Sequence, residues 1–109
     1  MQILNDETLD FAGDDGEQIT VRAVSKKAGD TVAFALDGVK GGALPNPFTF
    51  QLDKARNNPS VLTLEFTFVG AGGSFDVTVS GSHGGPSSFL TFDQFGVAAG
   101  NISYTFNVV

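Results

Sequence analysis

The sequence predicts an all-β fold: an antiparallel β-sandwich, immunoglobulin-like or jelly-roll-like, with about seven or eight strands in a single domain, residues 1–109. Three observations predict it. Residues 60–80 (SVLTLEFTFVGAGGSFDVTVS) alternate apolar and polar side chains, cross a glycine-rich break and alternate again. A period of two places successive side chains on opposite faces of a strand. Shorter segments of the same period recur along the chain, separated by stretches of Gly, Asn, Asp and Pro. No segments of helical period alternate with them, which excludes a parallel α/β fold.

In chain order, Asn5-Asp6-Glu7 reads as a turn or loop, and Thr8 to Phe11 as a short edge strand with Leu9 and Phe11 inward. Gly13-Asp14-Asp15-Gly16 has turn composition. Glu17 to Ser25 is a strand with Ile19, Val21 and Ala23 on one face, and Thr31 to Asp37 is another carrying Val32, Phe34 and Leu36. A loop over residues 27–30 pairs these two as a hairpin, Ala23 against Phe34 and Val21 against Leu36. Gly38 to Pro47 (GVKGGALPNP) reads as a loop, long enough to cross between two sheets. Phe48, Phe50 and Leu52 share one face of a further strand. Asp53 to Arg56 suits a single helical turn capped by Asp53, which Pro59 keeps from continuing.

The long alternating stretch predicts a second hairpin. With residues 70–73 as its loop, Phe68 opposes Phe75, Phe66 opposes Val77 and Leu64 opposes Val79. A loop one residue longer or shorter would set apolar residues against polar ones. A hairpin cannot bury such a face alone, so the rest of the chain must cover it. Gly81 to Ser88 is a loop by composition. Phe89 to Phe95 is an irregular strand in which Leu90 and Phe92 share a face before a bend at Gly96. Asn101 to Val109 closes the chain as a strand with Ile102, Tyr104, Phe106 and Val108 inward.

Composition narrows the function classes. The chain has 11 Phe, 1 Tyr and no Trp or Cys, so phenylalanine supplies the core, and disulfides, thiolate metal sites and thiol nucleophiles are excluded. A formal net charge of −6 opposes binding to nucleic acid and to anionic membrane surfaces. No apolar run approaches the ~20 residues of a membrane helix, so membrane insertion is not expected. The start, MQILNDETLDF, lacks a basic n-region followed by a long apolar run. The chain is therefore expected to be cytoplasmic or exported by a route without a signal peptide.

Few residues invite chemistry. His83, the one histidine, lies among Ser80, Ser82, Ser87 and Ser88. Imidazole can take a serine proton, but no G-x-S-x-G elbow is present, so His83 reads as an exposed loop residue. The sequence does not define a ligand site; Ser82, His83 and Asp93 are its candidates. Asp14, Asp15 and Glu17, with Asp10 nearby, offer hard oxygen donors in a glycine-flanked turn, the chemistry calcium needs, though two or three more oxygens would have to come from another loop. Acids at turns are also ordinary solvated residues. Gly70-Ala71-Gly72-Gly73 precedes a strand rather than a helix, so it is a turn and no phosphate cradle. Glu65 and Asp76 share a face in the hairpin register, with nothing to suggest a cleft between them. Asn101-Ile102-Ser103 fits a glycosylation sequon around a core isoleucine and reads as chance.

These observations favour a non-enzymatic binding module for a protein or a glycan, lectin-like and without a required cofactor. The alternative is a structural, self-assembling subunit of fibre, appendage or capsid type, a homo-oligomer built through edge strands. In that alternative the last strand pairs within its own domain or is added to a neighbour's sheet.

Overall fold

The computed structural model describes residues 3–11, 16–27, 29–54, 59–69, 74–83, 86–93 and 99–108. They form nine strands: β1 (Ile3–Phe11), β2 (Glu17–Ser25), β3 (Thr31–Leu36), β4 (Val39–Pro45), β5 (Phe48–Lys54), β6 (Ser60–Thr67), β7 (Ser74–Gly81), β8 (Ser88–Asp93) and β9 (Ala99–Val108). Two sheets pack face to face, one in the order β1-β9-β6-β3-β4 and the other β5-β2-β7-β8. The sandwich is thus as expected, with one exception to its antiparallel pairing: β1 runs parallel to β9.

The alternation assigns the faces correctly. Ile19, Val21, Leu62, Leu64, Phe66, Phe75, Val77, Ile102, Tyr104 and Phe106 are all buried. Both predicted hairpins, however, are crossings between sheets. β6 pairs with β3 and β9, while β7 pairs with β2 and β8. Phe68 and Phe75 do meet, with ring centroids 5.8 Å apart, but across the core rather than side by side on one sheet. β2 and β3 likewise lie in different sheets. A period of two states which side chains face the core; it does not state whether the next strand lies beside the first or opposite it.

Three further expectations are corrected. Asn5-Asp6-Glu7 is no turn, because β1 already spans it in register with β9. The stretch from Val39 to Pro45 is no loop: it forms edge strand β4, joined to β3 by the two-residue turn Asp37-Gly38, whose φ angles are 51° and 83°. Positive φ at both central residues is the hairpin turn that matches strand twist, and Asp-Gly is a preferred pair for it. The crossing between sheets does occur, at the cis-peptide Asn46-Pro47. Asp53 and Lys54 continue β5 and begin no helical turn. Calls on Gly13, Arg56, the Gly70–Gly73 loop, and the bend at Phe95 and Gly96 lie outside the described residues.

β9 is internal, flanked by β1 and β6, so the terminal strand is consumed within its own domain. The free edges are β1 and β4 on one sheet and β5 and β8 on the other.

Carboxylates close the ends of the sandwich. Asp30, fully buried, accepts the Ser25 hydroxyl at 2.6 Å and the Val69 N–H at 2.8 Å. It thereby ties the β2–β3 crossing to the chain leaving β6. At the other end Asp37 accepts the Ser60 hydroxyl at 3.1 Å and the Val61 N–H at 2.8 Å. Replacing Asp30 by Ala leaves two donors without acceptors, a loss of about 1–3 kcal/mol. The expected result is a lower urea midpoint with an unchanged m-value. A variant as stable as the parent would show that this carboxylate does not hold the crossing.

Candidate functional site

Two places carry the side chains of interest: one end of the sandwich, and the outer face of the four-stranded sheet. At the end, Glu17 opens β2 and is 3% exposed. Gly81 closes β7 opposite Ile19, which brings Ser82 and His83 to the Glu17 carboxylate. Oε2 accepts the His83 backbone N–H at 2.8 Å and the Ser82 hydroxyl at 3.2 Å, while Oε1 lies 3.2 Å from His83 Nδ1. Two adjacent ligand candidates and a calcium candidate 65 and 66 residues before them in sequence therefore form a single cluster.

The cluster does not have the geometry of a nucleophile with its base. Ser82 Oγ donates to Glu17 and accepts the Gln18 N–H at 3.0 Å. Its contact with His83 is a 3.3 Å approach to Nδ1, the same nitrogen that faces Glu17. A base that takes a serine proton needs one ring nitrogen for the serine and the other for its orienting acid. Here the acid holds the hydroxyl directly, and the His83 side chain, 56% exposed, covers it. Gly81 is required beside this cluster, because a Cβ there would sit 2.8 Å from Glu17 Oε2 and 2.8 Å from the Phe11 ring.

The same contacts involve the calcium candidate that is described, Glu17. Both Glu17 oxygens are occupied by protein groups, and Asp10 is exposed and accepts from the Asn107 amide at 3.0 Å. Asp14 and Asp15 lie outside the described residues. Among the described residues no group of three or more His, Cys, Asp or Glu is placed to hold a metal ion. Asp93 does not join Ser82 and His83: it pairs with Ser74 at the start of β7, whereas they follow that strand's end. Glu65 and Asp76 lie exposed on different sheets and so share no face; Asp76 accepts from Thr91 at 3.0 Å.

The outer face of the four-stranded sheet holds a residue that the sequence reading overlooked. Leu90 and Phe92 turn inward, so Phe89 turns outward and is 67% exposed. Its row runs across all four strands: Thr49 of β5, Arg22 of β2, Thr78 of β7, Phe89 of β8. Strand spacing of ~4.8 Å sets the Arg22 and Phe89 backbones about 10 Å apart. The next row carries Gln51, Thr20 and Ser80. The signal was available, since an apolar residue at the parity of polar neighbours is the mark of an exposed ring. Tyr104 cannot serve in its place. It is fully buried with its hydroxyl unpartnered among the described residues, and its pKa is pushed up to about 12 by burial and by the Glu7 charge.

No protein-family model, curated protein or solved structure matches this chain.

Burial works against charge on Glu17, but the His83 N–H, the Ser82 hydroxyl and the His83 ring outweigh it and hold the carboxyl below its ordinary value of 4.5. A carboxyl depressed in the folded state contributes stability that is complete above its unfolded value and is lost as pH falls through the folded one. Glu17→Gln is expected to lower the urea midpoint at neutral pH, with the gap to the parent closing between about pH 5 and pH 3. A gap that stays constant over that range would show that ionised Glu17 gives no preferential stability.

Proposed function

We propose that the protein is a non-enzymatic binding module that takes glycans on the outer face of its four-stranded sheet. The observation that supports this reading is Phe89, an exposed ring in a row of otherwise polar side chains. Sugars present an apolar face of C–H groups and a rim of hydroxyls. A flat aromatic ring takes the first, and guanidinium, amide and hydroxyl groups at fixed spacing take the second. Arg22, Thr78, Gln51 and Thr20 supply such groups on rigid strands, which place them without the ordering cost a loop would carry. Arg22 makes no ion pair among the described residues, so its donors are available.

The reading needs no metal, and Glu17, Ser82 and His83 then act as a structural clamp. Assembly through edge strands remains the second reading. One observation favours it: β8, which bears Phe89, is an edge strand.

A glycan array, run with calcium and with chelator, is expected to return the same hits in both. Phe89→Ala and Arg22→Ala should each weaken the best hit roughly tenfold with unchanged circular dichroism. An array silent in both conditions removes the glycan reading. Hits that survive both substitutions place the site elsewhere.

A further inference from the structure

We infer that the glycan taken by the four-stranded face is an acidic one: a neutral pyranose lies on Phe89, and a hexuronate linked to it gives its carboxylate to Arg22. The inference rests on the glycan reading above and names the substrate class for it. The carrying observation is the setting of Arg22. It stands on the inner strand β2, is exposed, and makes no ion pair among the described residues. Its register partners are Thr49 of β5 and Thr78 of β7, and its neighbours along β2 on the same face are Thr20 and Val24. Three threonines and no acid therefore stand next to it in the sheet.

The nearest acid in the register is Asp76, opposite Val24. A diagonal neighbour of this kind lies roughly 7–8 Å away. Its Oδ1 accepts the Thr91 hydroxyl at 3.0 Å, and it forms no ion pair with Arg22. The guanidinium is thus a cation that the face itself does not neutralise.

A guanidinium takes a carboxylate through two parallel N–H···O bonds, which are shorter and stronger than bonds between neutral groups. Hydroxyls of the same sugar meet Thr20, Thr49 and Thr78, which both donate and accept. The register fixes the order of the rings. Phe89 and Arg22 stand two strands apart with Thr78 between them. Two linked pyranoses laid across the strands put one ring over Phe89 and the next beside Arg22. The formal charge of −6 works against a long polyanion. A lone guanidinium also matches one carboxylate, so the expected unit is a single hexuronate beside a neutral sugar rather than a run of acids.

Oligosaccharides arrayed in pairs, each as the hexuronate and as its carboxyl-reduced hexose, with sulfated hexose analogues beside them, test this. Titration calorimetry then follows the best pair. The hexuronate member is expected to bind at least roughly tenfold tighter than its reduced partner. Arg22→Gln should abolish that preference and leave the reduced member's affinity unchanged. Arg22→Lys keeps the charge without the fork and should restore only part of the preference. Phe89→Ala should weaken both members alike. Asp76→Asn keeps an acceptor for Thr91 but removes a like charge, and should tighten the hexuronate alone by roughly two- to threefold. In the parent, added salt should weaken the hexuronate and not the reduced member. Equal binding of the two members, a preference for the sulfated analogue, or a preference that survives Arg22→Gln would overturn this inference and leave the glycan reading standing. Silence across every pair would overturn both.

Discussion

Contact between the inner faces of two sheets is the interaction on which the rest depends, and phenylalanine makes most of it. Phe66 of β6 meets Phe75 of β7 at 4.9 Å and Phe92 of β8 at 4.8 Å between ring centroids. Phe34 of β3 meets Phe48 and Phe50 of β5 at 5.8 and 5.0 Å. Tilted pairs of this kind add to the gain from burying the rings. Phenylalanine also brings no polar atom that would need a partner inside. Tyr104 shows the consequence when one is present: its hydroxyl is buried without a partner among the described residues.

A sandwich with frequent crossings needs its ends closed, and here carboxylates do it in a repeated way. Glu17, Asp30 and Asp37 each accept one serine hydroxyl and one backbone N–H. Each binds a segment outside its own strand: Glu17 the chain after β7, Asp30 the chain after β6, Asp37 the start of β6. Hydrogen bonds to an ionised acceptor are stronger than neutral ones, and both partners lie where a sheet ladder has ended. The acids that suggested a metal site in the sequence are therefore accounted for, where they are described, by the chain's own orphan donors. Chemistry that holds a cation also holds N–H and O–H groups, and composition alone does not tell these uses apart.

What was legible follows from the same physics. The faces of β2, β6, β7 and β9 were readable because a single strand's alternation is local. Pairing was not, because the same parity serves a hairpin and a crossing; only packing of Phe66 against Phe75 rather than beside it decides. β4 was hidden by Gly41, Gly42 and Pro45, although Asp37-Gly38 announced the hairpin that leads into it. The parallel partnership of β1 with β9 joins opposite ends of the chain, which no local pattern encodes. At the candidate site, Ser82, His83 and Glu17 were each named, but under separate headings, since their meeting depends on the β2–β7 register. Phe89 was readable and passed over, because an apolar residue in an apolar run draws no notice until its neighbours' direction is known.

The two outer faces differ in a way that bears on function. Among the described residues, the core and the clamps use the buried carboxylates and nearly all the rings, which leaves mostly polar side chains on the outer faces. On the four-stranded sheet a ring and a guanidinium share one row. A solvated surface selected for solubility alone would mix charges across its width. Both faces do mix charge across their width, with Arg22 on the inner strand β2 of one and Glu65 on the central strand β6 of the other. What distinguishes the four-stranded face is therefore Phe89, the one exposed phenylalanine among the described residues, held on edge strand β8.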